Sequence, residues 1–177
     1  ATLYRASMLP SNDLGNATAE IQWPNARANP LTLPLPSNNS LANRSFRIRL
    51  FGRCSAGLLT TITINVYFGL SPTISSNTQI FGTGPQLFNG NSNFNFWLDM
   101  TWDSTSQSIS GIGQGQVANN VIGVAALWNT PVSADPNRDS NSFLQSGPTY
   151  GFSLTGFFGN ASAGNHAFVD DFSMELL

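Results

Sequence analysis

Few side chains in this chain could carry out catalysis. The one histidine, His166, lies at the mouth of the last predicted hairpin, where no serine or cysteine motif supplies a nucleophile. The one cysteine, Cys54, alternates in phase with apolar residues, which is typical of a buried thiol. Because no base and nucleophile stand in a recognisable arrangement, we expect that the protein is not an enzyme.

A pair of carboxylates, Asp99 and Asp103, stands four residues apart on one predicted strand and its end. A strand rises about 3.3 Å per residue, which separates the two side chains by roughly 13 Å. The paired carboxylates of glycosidases lie about 5 to 9.5 Å apart. A solvated strand face followed by a turn is therefore the better interpretation.

Asp170 occupies an unusual position in the last predicted strand. Alternation groups it with Phe168 and Phe172 towards the core, while Asp171 points outward. An ionised carboxylate that faces a core is costly unless it is hydrogen-bonded or binds a cation. Four explanations stay open: backbone amides, a buried arginine, a structural Ca²⁺ ion, or a β-bulge that breaks the alternation.

Three of the seven basic residues, all of which are arginine, stand at outward positions of one predicted strand. We call Arg47, Arg49 and Arg53 the arginine stripe. The stripe is a candidate contact for a carboxylate-rich partner, because each guanidinium can bind a carboxylate through two hydrogen bonds. A solvated strand face is the alternative. Trp97, outward on another predicted strand, is a further candidate contact residue.

The composition limits the possible partners. Charged residues make up 9% of the chain and the net charge is −2, which argues against nucleic-acid binding. Asn, Ser, Thr and Gln account for 62 of the 177 residues, so neutral groups must cover most of the surface. No lysine is present for a Schiff base or a phosphate-binding loop. No run approaches about 18 apolar residues, so we expect no membrane span.

The chain divides at about residue 44. Residues 1–44, rich in Pro, Asn and Ser, predict an extended arm with one strand around Thr18 to Trp23, lying over this subunit or a neighbour. Residues 45–177 show period-two alternation typical of strands, with a hairpin link at Ser55 to Gly57. Val121 to Trp128 fits either a strand or a helical turn.

The number and spacing of these strands predict an all-β fold. We expect an antiparallel two-sheet sandwich, with a jelly roll as the preferred topology. A further hairpin is expected between residues 93–103 and 107–117. Gly111, Gly113 and Gly115 share one face of its second strand, so a bulky neighbour such as Trp97 or Trp102 is expected to lie over them.

Two segments resemble known families. Phe-Asn-Phe-Trp-Leu-Asp-Met-Thr-Trp-Asp-Ser-Thr-Ser from Phe94, together with the closing Phe-Val-Asp-Asp-Phe-Ser-Met-Glu-Leu from Phe168, is similar to jelly-roll proteins on tailed-phage virions, namely capsid decoration proteins and fibre domains. The closing strand also resembles the last strand of carbohydrate-binding modules. That second resemblance implies a structural calcium site, with Asp170 or Asp171 and Glu20 as its acidic ligands.

The resemblance and the composition together predict a structural protein of a bacteriophage virion surface. Such a protein would associate with itself, by analogy as a trimer, and attach to a capsid protein or another virion component. The alternative is a lectin-like carbohydrate-binding module. In that case Trp97, Tyr67 and Trp128 are the candidates for stacking on a glycan.

Overall fold

The computed structural model describes residues 3–6, 9–34, 45–69, 77–103, 108–117, 120–131 and 151–177. These residues form ten strands and no helix, and every strand pair is antiparallel, which confirms the all-β prediction. The strands are β1 Leu3–Arg5, β2 Ile21–Gln22, β3 Thr32–Pro34, β4 Ser45–Gly69, β5 Thr78–Gly82, β6 Gln86–Asp103, β7 Ser108–Val117, β8 Asn120–Pro131, β9 Gly151–Phe158 and β10 His166–Leu176. Residues 121–128 are therefore strand.

All ten strands belong to one branched sheet. Its main path runs β1-β10-β4-β6-β7-β8, while β5 and β9 pair with β4, and β2 and β3 pair with β9. The predicted hairpin of β6 and β7 is confirmed, with Phe94 opposite Val117 and Asp103 opposite Ser108. The last two strands pair with β4 and not with each other, so His166 opens β10 instead of standing at a hairpin mouth.

The hairpin predicted at Ser55 to Gly57 is wrong, because β4 continues through this segment as one strand of 25 residues. Its register against β6 shifts between Ala56 and Thr60, where residues 57–59 have no partner on β6. Extra residues on one strand of an antiparallel pair form a bulge, which bends that strand. The chain therefore bends at this point and does not reverse.

The bend in β4 folds the sheet onto itself. Phe46 and Phe68 lie 22 positions apart on β4 and would be roughly 70 Å apart on a straight strand. Both nevertheless contact Phe152, with ring centroids 5.8 and 5.0 Å away. Phe81 of β5 meets Phe96 of β6 in the same way, at 5.2 Å. A shared apolar core lies between the facing parts of the sheet, whereas the two-sheet jelly roll stays a prediction.

The N-terminal segment is built into this core. Three short strands, β1 to β3, lie where the sequence predicted one, and Leu14, Trp23, Leu31 and Leu33 are buried. Trp23 is fully buried and packs on the Phe94 ring at 5.7 Å. Residues 3–6 and 9–34 therefore pack on this chain's own sheet while Leu3 and Ile21 remain exposed, and an arm that also contacts a neighbour stays a prediction.

A β-bulge resolves the position of Asp170. The register of β10 against β4 shifts between Val169 and Asp171. Val169 and Phe172 are both fully buried, whereas Asp170 and Asp171 between them are partly exposed. The bulge therefore turns both carboxylates away from the core, which is one of the explanations that the sequence left open.

The glycines of β7 are covered from the core side. A Cβ atom at Gly113 would overlap the Phe81 ring and approach Leu98 Cδ2 to 2.8 Å. Phe81, not Trp97, therefore covers this glycine, because Trp97 points to the opposite face, where Gln114 is its partner on β7. The side chain of Trp102 lies outside the described part of the chain.

We expect Gly113→Ala to lower the free energy of unfolding by about 1–3 kcal/mol, because the added methyl overpacks the core against Phe81. Gly57→Ala is the matched control, since its Cβ would meet nothing closer than the Gly164 Cα at 3.7 Å. The control should change stability by less than about 0.5 kcal/mol. Urea unfolding followed by tryptophan fluorescence measures both, and equal effects would contradict the close packing at Gly113.

Candidate functional site

Most of the candidate contact residues lie on one surface of the sheet. This surface is the side of β10, β4, β6 and β7 that faces away from the core. Antiparallel register aligns its side chains in rows across the strands. One row holds Glu175, Arg47, Asp99 and Ile112, and the next holds Ser173, Arg49, Trp97 and Gln114. The structure thus brings the arginine stripe and Trp97 together on one surface, which we call the outer face.

Each arginine of the stripe is bonded to a carboxylate of this same chain. Arg47 binds Asp99 through two hydrogen bonds, one of them from Nη2 to Oδ2 at 2.7 Å. Hydrogen bonding to Asp99 raises the pKa of the Arg47 guanidinium. Arg49 Nη2 donates to Glu175 at 3.3 Å. The carboxylates sit directly opposite their partners or one row away, so the sheet register itself sets these pairs.

Arg53 is held by the bulge in β10. Its Nε and Nη2 donate to the two carboxylate oxygens of Asp170 at 2.8 and 2.9 Å, and this bonding raises the pKa of Arg53. The guanidinium also lies over the Phe168 ring, 5.5 Å from its centroid. Arg53 is thus oriented by a carboxylate and an aromatic ring together.

Apolar side chains lie between the charge pairs of the outer face. Phe51 is 40% exposed and stands opposite Asn95, while Trp97 is half-buried opposite Arg49. Ile112 is 48% exposed beside the Arg47–Asp99 pair. The outer face therefore combines neutralised charges with accessible apolar surface, a composition suited to contact with another molecule.

Glu20 anchors the N-terminal segment to the sheet. Its Oε1 accepts hydrogen bonds from Thr155 Oγ1 at 2.6 Å, Asn65 Nδ2 at 2.7 Å and the Tyr67 hydroxyl at 2.9 Å. Burial raises the pKa of Glu20, but the three donors outweigh burial and leave the pKa below its ordinary value. Burial and the bond to Glu20 raise the pKa of Tyr67 to about 12.

Two of the three residues considered for calcium, Asp170 and Glu20, are bonded to different partners. Asp170 is bonded to Arg53, while Glu20 is bonded to Thr155, Asn65 and Tyr67. Among the described residues no group of three or more His, Cys, Asp or Glu side chains is placed to hold a metal ion. Both carboxylates accept hydrogen bonds from groups of this chain.

A groove lies at one end of the outer face, where β4, β6 and β10 run side by side. Its volume is about 420 Å³. Arg53, Ser55, Asn91, Asn93, His166 and Phe168 line it, with contributions from Cys54 and Ser92. His166 Nδ1 lies 2.6 Å from Asp13 Oδ2, and the Ala167 amide donates to Asp13 Oδ1 at 3.0 Å. The groove therefore has its two basic side chains fixed by carboxylates.

The other residues considered for chemistry in the sequence are Cys54, Asp99 and Asp103. Burial raises the pKa of the Cys54 thiol to about 12, which keeps it protonated at neutral pH. Asp99 is paired with Arg47, and the side chains of Asp103 and Trp128 lie outside the described part of the chain. The described residues also include no helix with the length and apolarity needed to cross a membrane.

Sequence reasoning missed the groove. Asn91 and Asn93 come from β6, Ser55 from β4 and His166 from β10, and only the pairing of the three strands brings them together. No spacing in the sequence signals that pairing. The one local signal was the alternation that placed Asn93 and Arg53 outward on their strands.

No known family model matches the chain, and no curated protein matches it. Among solved structures it is similar to the CBM2 module of the evolved Dit protein of Lactobacillus casei BL23 phage J-1, with a TM-score of 0.41 and 10% sequence identity. The match covers 94% of this chain and 75% of the other. A TM-score below 0.5 does not establish a shared fold.

We expect Glu20→Gln to destabilise the protein by about 1 kcal/mol at pH 7, because an amide oxygen accepts the three bonds less strongly than a carboxylate. Because the pKa of Glu20 is lower in the folded state than its ordinary value of 4.5, ionised Glu20 stabilises the fold. This stabilisation is fully present above pH 4.5 and is lost as the pH falls through the pKa of the folded state. The difference between variant and wild type should therefore shrink as the pH falls below 4.5 and through the lower pKa of the folded state.

Urea unfolding at several pH values measures this difference. Glu175→Gln is the matched control, because Glu175 accepts one longer bond from an exposed arginine. A Glu20→Gln effect that stays constant with pH, or that the control reproduces, would show that the charge of Glu20 does not stabilise the fold.

Proposed function

We propose that this protein is a non-enzymatic structural component of a virion surface, a capsid decoration protein or a fibre domain, that associates with copies of itself and attaches to a capsid or another virion component. The outer face is its contact surface. A jelly-roll sandwich is the proposed topology, a trimer is the proposed assembly and a bacteriophage is the proposed source. The sequence resemblance of the segments that begin at Phe94 and Phe168 supports the virion assignment.

The internal neutralisation of the arginine stripe is the observation that carries the proposal. Arg47, Arg49 and Arg53 each bond to a carboxylate on a neighbouring strand. A carboxylate-rich partner would have to displace these pairs, so the stripe is suited to a neutral partner instead. A surface without free charge loses less hydration energy when another protein covers it.

Low net charge suits the same role. Copies that carry a net charge of −2 each repel one another weakly, so that many can sit side by side on a particle. Phe51, Trp97 and Ile112 supply apolar area between the neutral pairs. Burial of such side chains is the main source of affinity in lasting protein contacts.

The carbohydrate-binding alternative has less support at the residues first considered for it. The Tyr67 hydroxyl is bonded to Glu20, and Trp97 is half-buried in the middle of the charge pairs. An aromatic ring that stacks on a sugar needs an open face. Trp97 is better suited to a protein contact.

We expect light scattering at micromolar concentration to give the mass of a multimer of the 19.0 kDa chain. The proposed trimer would have the mass of three copies. Phe51→Ser should raise the dissociation constant about tenfold or more, because it removes apolar area from the contact. Ile21→Ser is the matched control, since Ile21 is 39% exposed, against 40% for Phe51, and lies on β2, away from the outer face.

A mass of one copy at every concentration would contradict self-association. Equal weakening by the two variants would contradict the assignment of the contact to the outer face. Circular dichroism of both variants checks that each keeps the β fold.

A further inference from the structure

The groove at the end of the outer face is built by two neighbouring rows of the sheet. One row places Phe168 opposite Arg53 and Arg53 opposite Asn93, and the next places His166 opposite Ser55 and Ser55 opposite Asn91. All six side chains point to the same side, because residues two apart on a strand share a face. The groove is therefore part of the sheet framework, with its shape set by strand register.

The volume of the groove suits a small ligand or a short piece of a chain. About 420 Å³ falls within the range of about 300–1,000 Å³ that is typical of small-molecule sites. The lining side chains of Asn91, Asn93 and His166 are exposed, so the groove is open to solvent. An open groove admits a segment of a longer chain, which an enclosed cavity does not.

The charged groups around the groove disfavour an ionic ligand. Arg53 is bound by Asp170 through two hydrogen bonds, and His166 is bound by Asp13. An anion would have to compete with these carboxylates, and a cation would meet the guanidinium of Arg53. The groove therefore favours a neutral ligand.

Polar side chains that are free for a ligand line the groove. Those of Ser55, Asn91 and Asn93 make no hydrogen bond to any part of the chain that the structure describes. Amides and hydroxyls both donate and accept, which is what a ligand rich in hydroxyl groups requires. Phe168 adds apolar surface at one side of the groove, with the Arg53 guanidinium lying over its ring.

From these features we propose that the groove binds a neutral glycan chain. The amides of Asn91 and Asn93 bond to sugar hydroxyls, and the Arg53–Asp170 and His166–Asp13 pairs supply further fixed donors and acceptors. The site lies at one end of the outer face, one row beyond Phe51, and neither Trp97 nor Tyr67 takes part in it. A virion protein with this site would attach to a glycan-coated surface.

The test uses the purified full chain on an array of immobilised neutral and sialylated oligosaccharides, followed by calorimetry with the best neutral oligosaccharide. We expect binding to at least one neutral oligosaccharide. Asn93→Ala should weaken that binding about tenfold, since it removes hydrogen bonds to the ligand. Asn95→Ala is the matched control, because Asn95 is an exposed asparagine two positions further on the same strand and face, beyond the residues that line the groove.

A second variant, Asn91→Ala, should weaken binding as Asn93→Ala does, and light scattering should show the wild-type mass for both. Absence of binding to every neutral glycan would overturn the proposal, as would binding restricted to sialylated glycans or an Asn95→Ala loss equal to that of Asn93→Ala. The wild-type mass is measured separately, so failure of glycan binding leaves self-association intact, and a monomer that binds glycan refutes only the assembly.

Discussion

The bend of β4 at residues 57–59 is the constraint on which the rest of the molecule depends. One 25-residue strand supplies partners to β10 and β6 before the bend, and to β9, β5 and the start of β6 after it. Only the bend lets Phe46 and Phe68 reach the same ring, that of Phe152. The groove lies just before this bend, where Ser55 is paired with both His166 and Asn91. The bend of β4 therefore shapes both the apolar core and the groove.

The few charges of this chain are placed by the same register. Arg47 stands opposite both Asp99 and Glu175, so a cross-strand pair follows as soon as the strands align. Exposed pairs of this kind contribute about 0–1 kcal/mol each to stability, too little to explain their regularity by stability alone. Their larger effect is on the surface, because they leave a neutral, ordered face in place of scattered free charges. The amides of the groove are also uncharged, so the outer face stays neutral at the end where the groove lies.

Alternation predicted much of the long strands, because one-sided burial imposes period two on most of β6 and on the first part of β4. It failed at Ser55 to Gly57, since small residues fit a turn and a bulge equally well and only the partner strand decides between them. The outward placement of the arginine stripe and Trp97 was predictable, whereas the carboxylates that neutralise the stripe were not. Arg53 and its partner Asp170, for example, are 117 positions apart in the sequence, so no local pattern predicts that they pair. The bulge at Asp170 was one of several explanations that only the register of β10 could separate.

The N-terminal segment has a consequence beyond its part in the core. Backbone bonds from Ala6, Ser11 and Leu14 to Phe172, Val169 and Ala167 follow the side of β10 that does not pair with β4. An uncovered strand of that length is a template for pairing with a foreign strand, the first step of sheet growth into fibrils. Here that template is occupied from within the same chain. The backbone of β10 on this side is therefore already hydrogen-bonded at these positions and is not free there to pair with a strand of another molecule.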